Sequence, residues 1–466
     1  MVTQQEIDRN VGVYGRPMAA RDAFNLYLES EHTSAILIHA FVIDQAAGGQ
    51  AGVRTHADAA EFARSVMHLD PIFTHRLHRY PGNLSFPFWV EDPSVDPADH
   101  VEVTRQQPGE VDIVRRRTVE LSREYFSPGG PPMWRLAFLV DLHGVDGVPK
   151  GGTVLIVKFH HSAIDGVGAS DLISRMLAPA PAEPRTRTPV EPVPSTLRAS
   201  GRIPADIARL VRAVVRHRRT QREKVPSAGE VPATRFNGEQ EPDMVWDLTW
   251  FDLTRIKEVK HHHGVTINDV MTTIMSLALS EYLRERGELP DTDLSVSMPM
   301  NTRFLVYSDT ANNLTIIRLS LHTTISDPVE RLHAIHHTSM AAKDAVSRVY
   351  GEDGHTSPLQ ALPSVLIAPI GALTRKPPAE PTTAPLTTMS SNVSYGSGRL
   401  ELLGAPVVGC YGVLPTVRGV HLAHSVRSVG SSISLSVAST RRALPDIEHY
   451  IELVRSAATA LGYRPD

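Results

Sequence analysis

Lys158–Gly168 reads KFHHSAIDGVG and follows directly on the apolar run TVLIV at 153–157. An unbroken apolar run of this length predicts a buried strand. At its end stand two adjacent histidines, an aspartate four residues after the second, and a glycine. Imidazole titrates near neutral pH and is the natural general base there. A strand end holds the backbone of such a residue while its ring faces a cleft. The pattern singles out His160, His161, Asp165 and Gly166. The histidines would serve chemistry and the aspartate would brace the turn. The glycine would let the chain reverse closely, since only glycine takes positive φ freely.

Three other readings compete. A histidine in a strand is often no more than a satisfied core residue, although a pair followed by Asp and Gly fits that poorly. A metal site is open, because His161 and Asp165 have the i, i+4 spacing of helical ligands, but no third ligand is obvious. A serine hydrolase would want a G-x-S-x-G elbow, and the chain has none.

The surrounding chain sets bounds. Its 466 residues suit two or three domains. With 41% hydrophobic and 21% charged residues and a net charge of −4, it reads as a globular protein with no field drawing it to nucleic acid. A single cysteine, Cys410, excludes a disulfide framework and cysteine-rich zinc sites, and suits a reducing cytoplasm. The opening MVTQQEIDRN lacks the apolar stretch of a signal peptide. No apolar run is long enough to span a bilayer; the longest, LPSVLIAPIGAL at 362–373, is broken by Pro369.

Composition shifts sharply between 178 and 243, where a proline-rich linker precedes a basic helix predicted over 202–224. The expected division is 1–177, a 178–243 linker and crossover, and 244–466. SAILIHAFVID, RLAFLVDL, LSVSMPMNTR, NLTIIRLSLHT and SISLSVAST predict strands. MAARDAFNLYLESE and VRRRTVELSREYF predict helices, as does VTINDVMTTIMSLALSEYLRERG, with Thr266 as N-cap and Asp269 three residues on. The fold class is α+β in two halves.

HHSAIDG also carries a resemblance. It matches the HHxxxDG signature of acyl-CoA-dependent acyltransferases, which include chloramphenicol acetyltransferases and the condensation domains of peptide synthetases. Within that group the chain most resembles the bacterial wax ester synthase/diacylglycerol acyltransferases. The supporting blocks are DAFNLYLE at 22–29, PPMWR at 131–135, TRFNG at 234–238, TINDVMTTIMSLAL at 266–279, NTRF at 301–304, SNVSYG at 391–396 and LLGAPVVGCYGVLP at 402–415. Two departures stand out. Met133 replaces a usual Leu, and Ser394-Tyr395 replaces a usual Pro-Gly, which bears on loop shape and substrate range.

The resemblance implies two chloramphenicol-acetyltransferase-like domains forming a pseudo-dimer around a central channel. It implies acyl-CoA as co-substrate, no bound cofactor or metal, and diacylglycerol or a long-chain fatty alcohol as acceptor. His161 would be the general base and His160 a support, with no covalent acyl-enzyme. Asp165 is expected to pair with Arg303, a strand-edge charge being the alternative. Asn268 would reach the oxyanion or the acceptor, with Asn392 a second candidate and Asp269 a support; helix capping is the rival account of Asn268. Trp134 reads as a packing anchor. The triplet His261-His262-His263 reads as a solvated helix end before Gly264 rather than a metal cluster.

The basic helix admits two accounts: packing of its Ile/Leu/Val stripe on the domains, or attachment to an anionic membrane or lipid-droplet surface. The protein is expected to be cytoplasmic, with a peripheral place on the inner membrane or lipid droplets left open. Two other functions are carried as alternatives: a carrier-protein-dependent condensation-type acyltransferase, and a non-catalytic lipid-droplet-binding protein.

Overall fold

The computed structural model describes residues 13–29, 34–48, 52–180, 182–184, 189–220, 229–238, 243–302, 310–353, 361–374, 381–414 and 416–464. Two six-stranded sheets organise the chain. The first runs in the order Glu401–Leu402, Ala405–Val413, Ile36–Ile43, Gly152–His160, Trp134–Leu142, Val101–Arg105. The second runs Met244–Asp252, Ser432–Thr440, Leu422–Val429, Thr388–Ser394, Ser295–Asn301, Leu314–Ser320.

The motif strand, Gly152–His160, is buried at every position. TVLIV lacks alternation because both faces of its sheet are covered. Leu155, Val157 and Phe159 pack with the helices His56–Val66 and Gly166–Met176. Val154 and Ile156 face the helix Ile113–Arg123, and Trp246 of the second sheet joins that layer. In the second half, the helices Leu253–His263, Ile267–Glu285 and Ile447–Ala460 form one core with the sheet. The capping box expected at Thr266 is present: Asp269 N donates to Thr266 Oγ1 (3.2 Å) and Thr266 N to Asp269 Oδ2 (2.9 Å).

Sheet membership does not follow the halves of the chain. Ala405–Val413 lies far down the second half, yet it pairs antiparallel with Ile36–Ile43 of the first, His39 opposite Gly412. A smaller four-stranded sheet, His75–His78, Phe88–Glu91, Tyr14–Pro17 and Glu191–Pro192, stands beside the first. Among the described residues no helix is long and apolar enough to cross a membrane.

Candidate active site

Strand alternation sorts the quoted stretch. Lys158 and His160 project to one face of the sheet and Phe159 to the other. Both of the former meet Phe126: Lys158 Nζ lies 4.7 Å from its ring centroid, and the His160 ring stands edge-on at 6.4 Å. Lys158 is buried, and burial pulls its ammonium down to about 8. Its Nζ donates to the Glu124 carbonyl at 2.5 Å.

His160 is fully buried, and both its ring nitrogens are engaged. Nδ1 accepts from Ser162 N (3.1 Å), and the Ser162 hydroxyl lies 2.7 Å away. With Nδ1 accepting, Nε2 carries the proton and donates to Glu29 Oε2 at 3.3 Å. Its own amide donates to Met133 O, which ties the PMW segment to the motif.

His161 is held differently, through its backbone. Its N–H donates to Ala35 O at 2.7 Å. Its carbonyl accepts from Asn312 Nδ2 at 2.8 Å and from Asn25 Nδ2 at 3.4 Å. The ring is half-buried; Nδ1 is enclosed and makes no hydrogen bond among the described residues, which leaves Nε2 as the accessible nitrogen. Burial holds its pKa below the usual imidazole value, opposed by its own carbonyl, the Asp165 carboxylate and the Asn312 amide. At neutral pH the ring is an unprotonated base.

Asp165 is buried and caps the helix Gly166–Met176, accepting from Gly168 N at 2.8 Å. Its other oxygen accepts from Asn313 N, 3.0 Å away in the second half. His161 sits in the turn before the helix, so the i, i+4 spacing does not place it and Asp165 on one helical face. Gly166 corrects an expectation. It is the first residue of the helix and not a positive-φ turn residue, and a Cβ there would meet Val393 Cγ2 at an ordinary 3.5 Å. Arg303 lies outside the described residues.

The loop 310–313 therefore joins the halves, and it is anchored in turn. Buried Asp22 accepts from Ala311 N (2.9 Å), Asn312 N (3.0 Å) and Asn312 Nδ2 (2.8 Å). Desolvation raises its pKa against those bonds. Asp22, Asn25 and Glu29 all belong to the segment around the helix Ala20–Leu28. DAFNLYLE was legible as a block, but its three polar side chains were not read as supports of the motif, and Asn312 and Asn313 were not singled out at all. Their signal was faint: the TANN run opening the strand Leu314–Ser320.

The remaining candidates form a second group. Asn392 Nδ2 donates to Asn268 Oδ1 at 3.3 Å, joining the TINDV helix to the SNV strand. That strand packs on the motif helix, since Ser170 Oγ donates to Ser394 O at 3.0 Å. Asp269 is fully buried; although desolvation raises its pKa, Ser339, His336 and Thr266 outweigh that and hold it low. Trp134 is buried, stacks on His100 at 4.4 Å and donates to Phe73 O at 3.0 Å, remote from solvent.

The Ser394-Tyr395 departure has a visible effect. The Tyr395 ring enters the first half's core against Phe41 (4.8 Å), and its hydroxyl lies 2.5 Å from His39 Nδ1. The imidazole triplet ends its helix at Gly264, whose φ of 69° supplies the left-handed cap. Among the described residues, no group of three His, Cys, Asp or Glu side chains could hold a metal ion.

Comparison with known proteins places this geometry. Residues 18–271 match the model of the wax ester synthase/diacylglycerol acyltransferase catalytic domain, and 310–461 match that family's C-terminal domain. A Mycobacterium tuberculosis (H37Rv) protein named as a diacylglycerol O-acyltransferase is 26% identical over 461 residues, covering 92% of this chain and 87% of its own. The fold matches a wax ester synthase/diacylglycerol acyltransferase from Marinobacter aquaeolei VT8 with a TM-score of 0.64 at 21% identity, over 96% of this chain and 98% of that one. It also matches the starter condensation domain of rhizomide synthetase, solved with C8-CoA, with a TM-score of 0.56 at 12% identity over 99% and 98%. Two family models that together take in the HHSAIDG turn and every strand of the two sheets but Ser295–Asn301 leave one assignment: the chain belongs to the wax ester synthase/diacylglycerol acyltransferase family.

Proposed function

We propose that this O-acyltransferase moves a long-chain acyl group from acyl-CoA to diacylglycerol or a long-chain fatty alcohol, with His161 as general base. The observation that carries the reading is the contrast within the histidine pair. His160 has both nitrogens committed, whereas His161 offers a neutral Nε2 on a backbone clamped from both halves. In the reaction, Nε2 takes the acceptor's hydroxyl proton as that oxygen attacks the thioester carbonyl. The tetrahedral oxyanion collapses, the carbon–sulfur bond breaks, and imidazolium returns the proton to the departing thiolate.

Asn268 and Asn392 are assigned to the oxyanion or acceptor. Their mutual hydrogen bond would orient both carboxamides, and such a donor is worth about 3–4 kcal/mol. Asp165 and Asp269 are braces, since all the bonds described for them go to protein donors. No acyl-enzyme is invoked. Cys410 is buried and burial pushes its thiol pKa up, which makes it a poor nucleophile. Acyl-CoA as donor is supported by the family and by the CoA-bound condensation-domain neighbour. Because the acceptors are insoluble in water, catalysis is placed at a lipid surface to which the protein attaches peripherally.

The test is coenzyme A thiol release from palmitoyl-CoA, with dioleoylglycerol and hexadecanol offered in turn. Release should require an acceptor and should collapse in His161→Ala while persisting in His262→Ala. Release that ignores both acceptor and His161 would overturn the assignment.

A further inference from the structure

The basic helix lies over Ile203–Thr220, and its surface divides into three sectors. At 100° per residue, Ile203, Asp206, Leu210, Ala213 and Val214 share one arc, and each is half-buried. The adjacent arc carries Ile207, Val211 and Val215, exposed by 45%, 57% and 42%. Arg212, Arg216 and Arg209 follow on the third arc, all exposed, and Arg218 is exposed near the end of the helix. Partial burial therefore covers only part of the apolar stripe, and the remainder faces solvent directly beside arginines.

The mounting of this helix is informative. The preceding short helix, Thr196–Ser200, buries Ala199 with Tyr80, Phe88, Val90 and Val193 on one face of the small four-stranded sheet. It also turns Leu197 outward at 82% exposure. The other face of that sheet, through Leu77 and Trp89, packs with Ile367 of the helix Ser364–Thr374. That helix has no charged residue, presents Leu366 and Ile370 to solvent, and bonds through Ser364 Oγ to Tyr27 of the helix that supports the motif. One subassembly thus carries two sets of exposed apolar side chains, one flanked by arginines and one bordering the active-site helix.

We infer that the helix Ile203–Thr220 docks on an anionic lipid surface, inserting Ile207, Val211 and Val215 between headgroups while its arginines meet phosphates. This deepens the proposed function and rests on its placing of catalysis at a lipid surface. Charge complementarity selects the occupant. A nucleic acid would satisfy the arginines but leave the apolar arc unused, whereas an anionic interface uses both arcs.

Co-sedimentation of the full chain with phosphatidylcholine vesicles, with and without one-third phosphatidylglycerol, tests this. The expected result is binding that needs the anionic lipid and fades in high salt. Arg212→Gln/Arg216→Gln/Arg218→Gln should weaken partitioning roughly a hundredfold, at roughly fivefold per charge. Val211→Ser/Val215→Ser, at exposed positions, should also weaken it without loss of fold. Both variants should keep wild-type thiol release on detergent-dispersed dioleoylglycerol. That control separates failure of docking from failure of the catalytic assignment. Equal binding to neutral vesicles, full binding by the triple variant, absence of any vesicle binding, or equal affinity for a DNA duplex would each overturn the inference.

Discussion

Two runs of adjacent histidines end secondary-structure elements in this molecule, and they have opposite fates. His160 ends a strand enclosed on both faces and His161 opens the turn after it, and their ring or backbone atoms are held by Asn25 and Glu29, Ala35, Met133 and Asn312. His261, His262 and His263 end a helix whose last turn meets solvent, and Gly264 simply lets the chain leave. Residue type and adjacency are the same. What differs is the density of polar partners that the tertiary fold brings to each: the strand end has many, whereas the helix end has only His263 turned towards Leu461 and His333. The proposed role of His161 draws on that density, because a base is useful only where its position is fixed.

The sharpest way to break the contrast is kinetic. His161→Ala should lower kcat by about 10²–10⁴, while His262→Ala leaves it unchanged; steady-state thiol release reads both. Next in size is the clamp between the halves. Asn312→Ala removes a donor to the His161 carbonyl and one to buried Asp22, and should cost about 1–3 kcal/mol by urea midpoint, with a larger loss of kcat than of affinity. His261→Gln would leave that midpoint in place.

A third test moves the comparison to pH. His424 is buried between Thr388 and Tyr450, and burial pulls its pKa from 6.5 to about 3. Below pH 6.5 the unfolded chain binds a proton that the folded chain refuses. Stability from this group therefore falls as pH drops from 6.5 towards 3, by up to roughly 1.4 kcal/mol per pH unit. His424→Asn should shallow that acid limb in thermal melts. The smallest effect belongs to the solvated triplet: His261→Gln/His262→Gln should shift stability by less than about 0.5 kcal/mol.

Local features were legible in the sequence and long-range ones were not. The motif strand, the Thr266 cap and the helical spacing of 203–220 each depend on neighbours within a few residues, so periodicity and cap chemistry expose them. Asn312 and Asn313 act through a loop, where polar residues carry no periodic signal. Gly166 was assigned the wrong virtue, because a glycine in a motif suggests a turn while here it opens a helix. LLGAPVVGCYGVLP was recognisable as a block, yet nothing in it says which sheet it will join. MAARDAFNLYLESE likewise reads as a helix, with no hint that Asn25 and Glu29 reach the histidines.

The strand Ala405–Val413 has a consequence for biosynthesis. Ile36–Ile43 emerges from the ribosome well before the partner that covers its open edge, which is roughly 370 residues later in the chain. Until that partner is made, the edge offers unpaired amides to any passing strand. The first half therefore cannot mature as an autonomous unit while the ribosome is still at work. Its completion waits for Ala405–Val413, and a message truncated before that strand would yield a product prone to aggregate rather than a smaller enzyme.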